Sequence, residues 1–452
     1  MIFASQELVF LVCLSWWTTF YLRYGGRVVG SAMTAPELAR IETAIVLSSS
    51  LVQAALTGLV ILVTDAAAPA SFYACACAFT ISRSWLNFLG ERTRREAHIR
   101  AYSALQIGAP LGGLVLTWVL TWALTTHTPA TPAAVLGAFA LSQAVVGVAV
   151  AARLRLLQWP QWPPPALWRA ARDFGAPVLM SNLLSWLAGN GIRFVVHHGA
   201  GAAALGLLSV GWGLATRLAG VAAMLVTAAA YPLAVKAMEG GNRAAALRQL
   251  ADNSVLLLAL LAPVLAVTAV LSEPMTRLLV APEYQAMTLD VLPWALAGAC
   301  LRNLRLHGWD PIYLLCEAPR AMMAIDALDA AAMAIAAVLG LWLGGVKGAV
   351  VATTVATALV ALVDWTTLRW RFCMPTPFWR YARVLLAAAL MGAVLQAAAA
   401  QGWRTEPRWL DIAATVVVAG ALYGAALVLL FPRQSGQALA WLRQRQRRAD
   451  SA

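Results

Sequence analysis

Charge is scarce in this chain, and negative charge is scarcest. Charged residues make up 12% of its 452 positions, where a soluble domain carries about 25%. Acids number 20 against 33 lysines and arginines, and there are only five histidines. No Walker, Rossmann or HExxH pattern occurs, which removes ATP hydrolysis, dinucleotide chemistry and zinc proteolysis from the field. The six cysteines (Cys13, Cys75, Cys77, Cys300, Cys316 and Cys373) have no metal-ligand spacing with histidine. They read as small core residues, and neither a metal nor a cofactor is called for. The opening "MIFASQELVFLVCLSWW" lacks a basic start and a small-residue cleavage site, so it does not read as a signal peptide.

Apolar sequence is what the chain has in excess. It is 61% hydrophobic, with a mean hydropathy of +0.72. Apolar runs of about 20 residues recur from end to end, each long enough to cross about 30 Å of hydrocarbon as a helix. The alternating segments of a membrane β-barrel are missing. The fold class predicted is therefore an all-α polytopic membrane protein. Thirteen spans are expected, at 3–21, 41–64, 71–90, 102–124, 133–152, 175–196, 203–235, 254–272, 287–309, 322–343, 347–367, 381–400 and 409–431.

The net charge of +13 would suggest nucleic acid in a soluble protein. Here it reports orientation, and no nucleic-acid partner is expected. Connections after odd-numbered spans, with the C-terminal tail, hold 24 of the 33 basic residues, whereas "TDAAAPA", "TTHTPATP" and "HHGAGA" hold none. The positive-inside rule assigns the rich side, including the tail "RQRQRR", to the cytoplasm. The longest connection on the bare side is about 15 residues (272–286), too short for a domain. The same count puts the N-terminus outside, and one further helix before the first span would reverse that. Between 153 and 174 the stretch "QWPQWPPPALW" cannot be helical through its three prolines. It divides an N-terminal lobe, 1–158, from a C-terminal lobe, 166–370, with 159–165 as linker. Two extra helices and the basic tail fill 371–452.

Nine basic residues lie away from the rich connections. Arg277, Lys347, Arg404 and Arg408 fall at the outer boundary, where long side chains snorkel. Arg83, Arg193, Arg217, Arg302 and Arg305 remain. All but Arg193 fall deep in the hydrocarbon, where insertion costs about 2.5–3.5 kcal/mol per arginine. At 100° per residue, Trp294, Gly298, Arg302, Arg305 and Trp309 share a helix face. Tyr73, Thr80, Arg83, Ser84 and Asn87 share a second; Asn182, Trp186, Gly189, Asn190 and Arg193 share a third. Arg217 is flanked by Thr216 and Gly220. Guanidinium groups match phosphate oxygens and never lose their charge, and aromatic faces suit sugar rings. The candidate phosphate-binding set is thus Arg83, Arg217, Arg302, Arg305 and Arg193. Trp186, Trp294, Trp309, Asn182 and Asn87 are the candidate sugar contacts. The competing reading pairs these arginines with Asp310, Asp326, Asp329 or Asp364. His197 and His198, at an outer helix end, read as solvated loop residues.

Three stretches carry a family resemblance: "FGAPVLMSNLLSWLAGNGIRFVV", "ALGLLSVGWGLATRLAGVAAMLVTAAAYPLAVKAMEGGNRAAAL" and "LSEPMTRLLVAPEYQAMTLDVLPWALAGACLRNL". Within them stand Pro177, Gly206 to Ser209, the Tyr231–Pro232 pair and Tyr284. The chain resembles the Wzx-type O-unit flippases of the multidrug/oligosaccharidyl-lipid/polysaccharide exporter superfamily. That resemblance implies 14 helices in two six-helix lobes plus two, onto which the 13 spans map as helices 2–14. It implies transfer of a polyprenyl-pyrophosphate-linked oligosaccharide across a bacterial cytoplasmic membrane, by rocking of the lobes about a cationic cavity, for cell-surface polysaccharide synthesis. The implied partners are that lipid-linked sugar, membrane lipids, and a polysaccharide polymerase or other assembly proteins. A multidrug exporter of the same superfamily is the nearest rival, disfavoured because cationic drugs call for acids. A membrane glycosyltransferase or polymerase is the enzymatic rival, disfavoured by the short outer loops, and a structural assembly subunit is the last.

Overall fold

The chain's computed structural model describes residues 2–31, 33–64, 67–96, 98–124, 131–156, 158–402 and 408–432. The basic tail at 443–448 and Arg404 lie outside the described residues. Thirteen helical rods follow one another: α1 at 2–31, α2 at Ala35–Thr64, α3 at Ala70–Arg95, α4 at 99–124 and α5 at Pro132–Arg153. Next, Pro165–Glu239 is broken at Gly201 into α6 (165–200) and α7 (202–239). Then come α8 at Arg243–Leu279 and α9 at 282–309, followed by a single turn at Pro311–Leu315. Pro319–Phe372 is broken at Gly344 and Gly345 into α10 (319–343) and α11 (346–372). The last two are α12, Phe378–Ala400, and α13, Arg408–Leu430. Each rod contains one of the predicted spans, except that the last span, 409–431, runs one residue past α13.

Local chemistry sets the ends. Thr34 and Glu37 form a reciprocal cap before α2: the Thr34 amide donates to Glu37 Oε2 at 2.8 Å, and the Glu37 amide to Thr34 Oγ1 at 3.4 Å. Asn242 Oδ1 accepts from the Ala245 amide at 2.9 Å to start α8. Pro132, Pro165, Pro282 and Pro319 each occupy a first helical position, where no amide donor is lost. The breaks fall on glycines with positive φ, Gly201 at 88° and Gly345 at 61°, a conformation that side chains resist.

Eight helical stretches among the described residues are long and apolar enough to cross a membrane. Two of them, 165–221 and 319–372, are twice the needed length and contain the glycine breaks. The rods left out are α1, α3 and α9. They carry much of the buried polar chemistry, and α1 is divided by a π-turn at Leu11–Ser15.

Two compact units result. One comprises 1–187 and 317–327, the other 188–316 and 328–452. In the first, Ile61, Phe79 and Leu136 seal the contact of α2, α3 and α5. Trp16 and Phe20 of α1 meet Trp168 and Phe174 of α6 edge-on, with centroids 5.7 and 6.3 Å apart. In the second, Val255, Ala387, Met391 and Ala419 join α8, α12 and α13. There α10 and α11 cross with Gly340 against Gly348, so closely that a Cβ on either would overlap the other's carbonyl oxygen. Small residues permit such approach where no hydrophobic effect drives helices together.

Candidate functional site

Of the five candidate arginines, Arg302 and Arg305 form ion pairs, and Arg83 and Arg217 make none among the described residues. In the second unit, Arg302 Nη1 lies 2.6 Å from Asp329 Oδ2, and Arg305 Nη2 lies 2.8 Å from the same oxygen. Asp329 and Arg305 are fully buried, whereas the Arg302 side chain retains 15% exposure. The trio has one positive charge in excess. Its acid comes from α10 and both bases from α9. The Arg302 guanidinium also lies across Gly189 of α6, about 3.6 Å from where a Cβ would stand. The arginine faces predicted on α6 and α9 therefore meet.

Helix α9 winds as a π-helix over Leu304–Trp309. The extra residue in that turn rotates the residues beyond it, so the assumed 100° per residue fails after Leu304. Trp309 is buried, and its indole N–H donates to Tyr381 of α12 at 3.5 Å. The Tyr381 hydroxyl is 2.5 Å from Ser254 Oγ of α8. Trp294, before the π-turn, is 43% exposed.

Arg217 on α7 is exposed and makes no hydrogen bond or ion pair among the described residues. Thr216 beside it turns its hydroxyl back to the carbonyls of Trp212 and Gly213. Arg193 is half-buried on α6, and His197 and His198 are exposed at the end of that helix.

In the first unit Arg83 is half-buried on α3, also with no hydrogen bond or ion pair among the described residues. Two of the polar side chains beside it are satisfied. Gln6 of α1 donates to Ser84 Oγ at 3.4 Å, and Ser82 donates to Gln143 of α5 at 2.9 Å. Asn87 is half-buried one turn on and makes no hydrogen bond among the described residues. Asn182 donates to Ser15 Oγ at 3.2 Å, and Trp186 is half-buried a turn further along α6.

Asp326 and Asp364, like Asp329, have partners among the described residues. Ser181 donates to Asp326, and the Tyr313 hydroxyl donates to Asp364 Oδ1 at 2.6 Å. Sequence reasoning missed the depth of two loop-end arginines. Arg23 is 1% exposed and bonds Glu317 Oε1 at 2.9 Å. Arg92 is buried in an ion pair with Glu42, itself 2% exposed. A count of charges per loop has no means of seeing which charges turn inward.

What the arrangement offers is permanent positive charge without a counter-charge among the described residues, at Arg83 and Arg217. Neutral or cationic cargo gains nothing from such groups, while phosphate oxygens gain planar, charge-assisted hydrogen bonds.

Comparison with known proteins agrees with this frame. The family model described as polysaccharide biosynthesis protein matches residues 107–289. No curated protein sequence matches the chain. Among solved structures, the lipid II flippase MurJ in an inward closed conformation aligns at 11% identity with a TM-score of 0.61, covering 95% of this chain and 96% of its own. A point mutant of the Vibrio cholerae MATE transporter VcmN aligns at 16% identity and 0.62, covering 84% and 87%. A Pyrococcus furiosus MOP superfamily transporter, in which reverse polarity of the binding pocket suggests a different function, aligns at 13% and 0.58, covering 82% and 85%. Carrying thirteen helical rods and a match to the polysaccharide biosynthesis model, the chain is a multi-pass membrane protein with the fold of the multidrug/oligosaccharidyl-lipid/polysaccharide exporter superfamily.

Proposed function

We propose that the protein moves a polyprenyl-pyrophosphate-linked oligosaccharide from the inner to the outer leaflet of a bacterial cytoplasmic membrane, by alternating access and without covalent chemistry. The observation that carries this reading is Arg217. It is a guanidinium in the middle of an apolar run, exposed and without a partner among the described residues. An arginine at that depth costs about 2.5–3.5 kcal/mol to place, and an anionic head group offsets the cost.

Arg217 in the second unit is the primary contact for pyrophosphate, and Arg83 offers the same chemistry in the first. Arg302 contributes while tethered to Asp329, Arg305 anchors that tether, and Arg193 lies one turn from Gly189. Trp186, Trp294, Asn182 and Asn87 supply sugar contacts, whereas Trp309 supports α9 from within the core. The arginine-rich connections mark the cytoplasmic side. The polarity described for the Pyrococcus transporter supports using the sign of the site to separate functions within this fold. A drug exporter, the alternative suggested by the MATE matches, needs unpaired acids, and Asp326, Asp329 and Asp364 have partners.

The test is translocation of a labelled polyprenyl-pyrophosphate oligosaccharide in proteoliposomes. Protein-dependent transfer that collapses in Arg217→Ala and Arg83→Ala supports the reading. Transfer of a cationic dye in place of the lipid-linked sugar overturns it in favour of drug export.

A further inference from the structure

The first unit contains a second feature that the transport reading does not use. Helices α2, α3 and α5 enclose a cavity of about 350 Å³ at the end that meets the arginine-rich connections. That volume is at the small end of ligand pockets, which begin near about 300 Å³. Val46, Leu47, Trp85, Phe88 and Leu156 make its walls apolar. Leu47 is 52% exposed and Leu51, a turn away, is 76% exposed. On a membrane helix such apolar exposure faces lipid, so the cavity opens sideways into the bilayer.

Its polar end is built, not incidental. Glu42 and Arg92 line it as a buried ion pair. Arg92 Nε is held by Glu96 at 3.1 Å. Glu42 Oε1 is buried, yet it has no hydrogen-bond donor among the described residues. A carboxylate oxygen left so is costly unless something donates to it. Three exposed arginines neighbour the lining residues in sequence: Arg40, two residues before Glu42, and Arg153 and Arg155, between Ala151 and Leu156. Arg155 holds a φ of 53°, a strained conformation for a side chain, and its carbonyl accepts from Gln158. The Arg40 carbonyl in turn accepts from the Gln161 amide at 3.1 Å, which fixes the linker over this end.

We infer that this cavity is a binding site for an anionic phospholipid with hydroxyls on its head group. One acyl chain fills the apolar slot. The phosphate meets Arg40, Arg153 and Arg155, and a head-group hydroxyl donates to Glu42 Oε1. Each part answers an observation: lateral opening, a narrow apolar volume, a cationic rim and an orphaned acceptor at the boundary.

The experiment is native mass spectrometry of the full chain, titrated with phosphatidylglycerol and, separately, with phosphatidylcholine. The cavity is filled by Ser50→Phe or, as an independent variant, Thr43→Phe; both positions line it half-buried. The rim is neutralised by Arg40→Gln/Arg153→Gln/Arg155→Gln. Phosphatidylglycerol is expected to bind the native chain at least about tenfold more tightly than phosphatidylcholine. Whichever filled variant stays monodisperse should lose about tenfold in that affinity, and the rim variant should lose the preference between the lipids. Equal binding of the two lipids by the native chain, or undiminished phosphatidylglycerol binding by a well-folded filled variant, overturns the inference. A Leu390→Phe control on the exposed face of α12 should leave binding unchanged.

Discussion

Asp329 and Arg217 stand at opposite extremes of the electrostatic problem that a bilayer poses. Asp329 holds two arginines through one carboxylate oxygen, and its replacement leaves Arg305 buried beside a neutral group. Asp329→Asn should cost about 3–5 kcal/mol, read as a large fall in the thermal midpoint of the purified protein. Replacing Arg305 and Asp329 together with leucine should recover most of it, since apolar isosteres often match a buried pair. Arg217 has no such bond to lose. Arg217→Ala should leave the thermal midpoint where it was, within about 0.5 kcal/mol, while lowering head-group transfer about tenfold or more. A midpoint that moves with Arg217→Ala would return that residue to a structural role. Which arginines fall mid-span can be counted from the sequence, but that count passes over the buried Arg23 and Arg92. Which of them are paired is not legible there, because Asp329 and Arg302 are 27 residues apart and pairing depends on how α9 and α10 pack.

At the scale of elements, the π-turn in α9 marks the limit of pattern reading. A helical wheel assumes one angle per residue, and Leu304–Trp309 breaks that assumption without any proline or glycine run to announce it. Trp309 is accordingly packed against Tyr381, not presented beside Arg302. The glycine breaks are more legible in kind than in effect. Gly201 falls in a loop that composition places between two spans, yet the helical backbone runs almost through it. The crossing of α10 and α11 yields a direct test. Gly348→Ala would push a methyl into the Gly340 carbonyl, where both partners are backbone and neither can swing aside. It should destabilise the fold by about 1–3 kcal/mol, measured as loss of monodisperse protein on heating. Gly344→Ala, where a Cβ meets nothing, is the matched control.

For the molecule as a whole, the number and order of the helices are legible because each span must satisfy its own backbone hydrogen bonds within hydrocarbon. The compact units are not, because 317–327 joins the first unit from far along the chain, beyond the intervening 188–316. Arg23 and Glu317 are one reason: they are 294 residues apart and meet at 2.9 Å. Arg23→Gln and Glu317→Gln should each lower the thermal midpoint. The double variant should fall by less than the sum, with a coupling of about 0.5–3 kcal/mol. Strict additivity would mean that the pair contributes nothing to holding 317–327 in place.

The α10–α11 hairpin bears also on how the protein is made. Its two helices are joined by only Gly344 and Gly345, and the crossing at Gly340 and Gly348 needs nothing from elsewhere in the chain. Contacts so local form early and fast. The pair is therefore suited to leave the insertion machinery already docked, as one object. Arg217 has no such companion among the described residues, and α7 enters the bilayer carrying that charge well before the later helices are synthesised. The order of synthesis thus makes α7, not the helices with more charges, the step at which biogenesis is most exposed to failure.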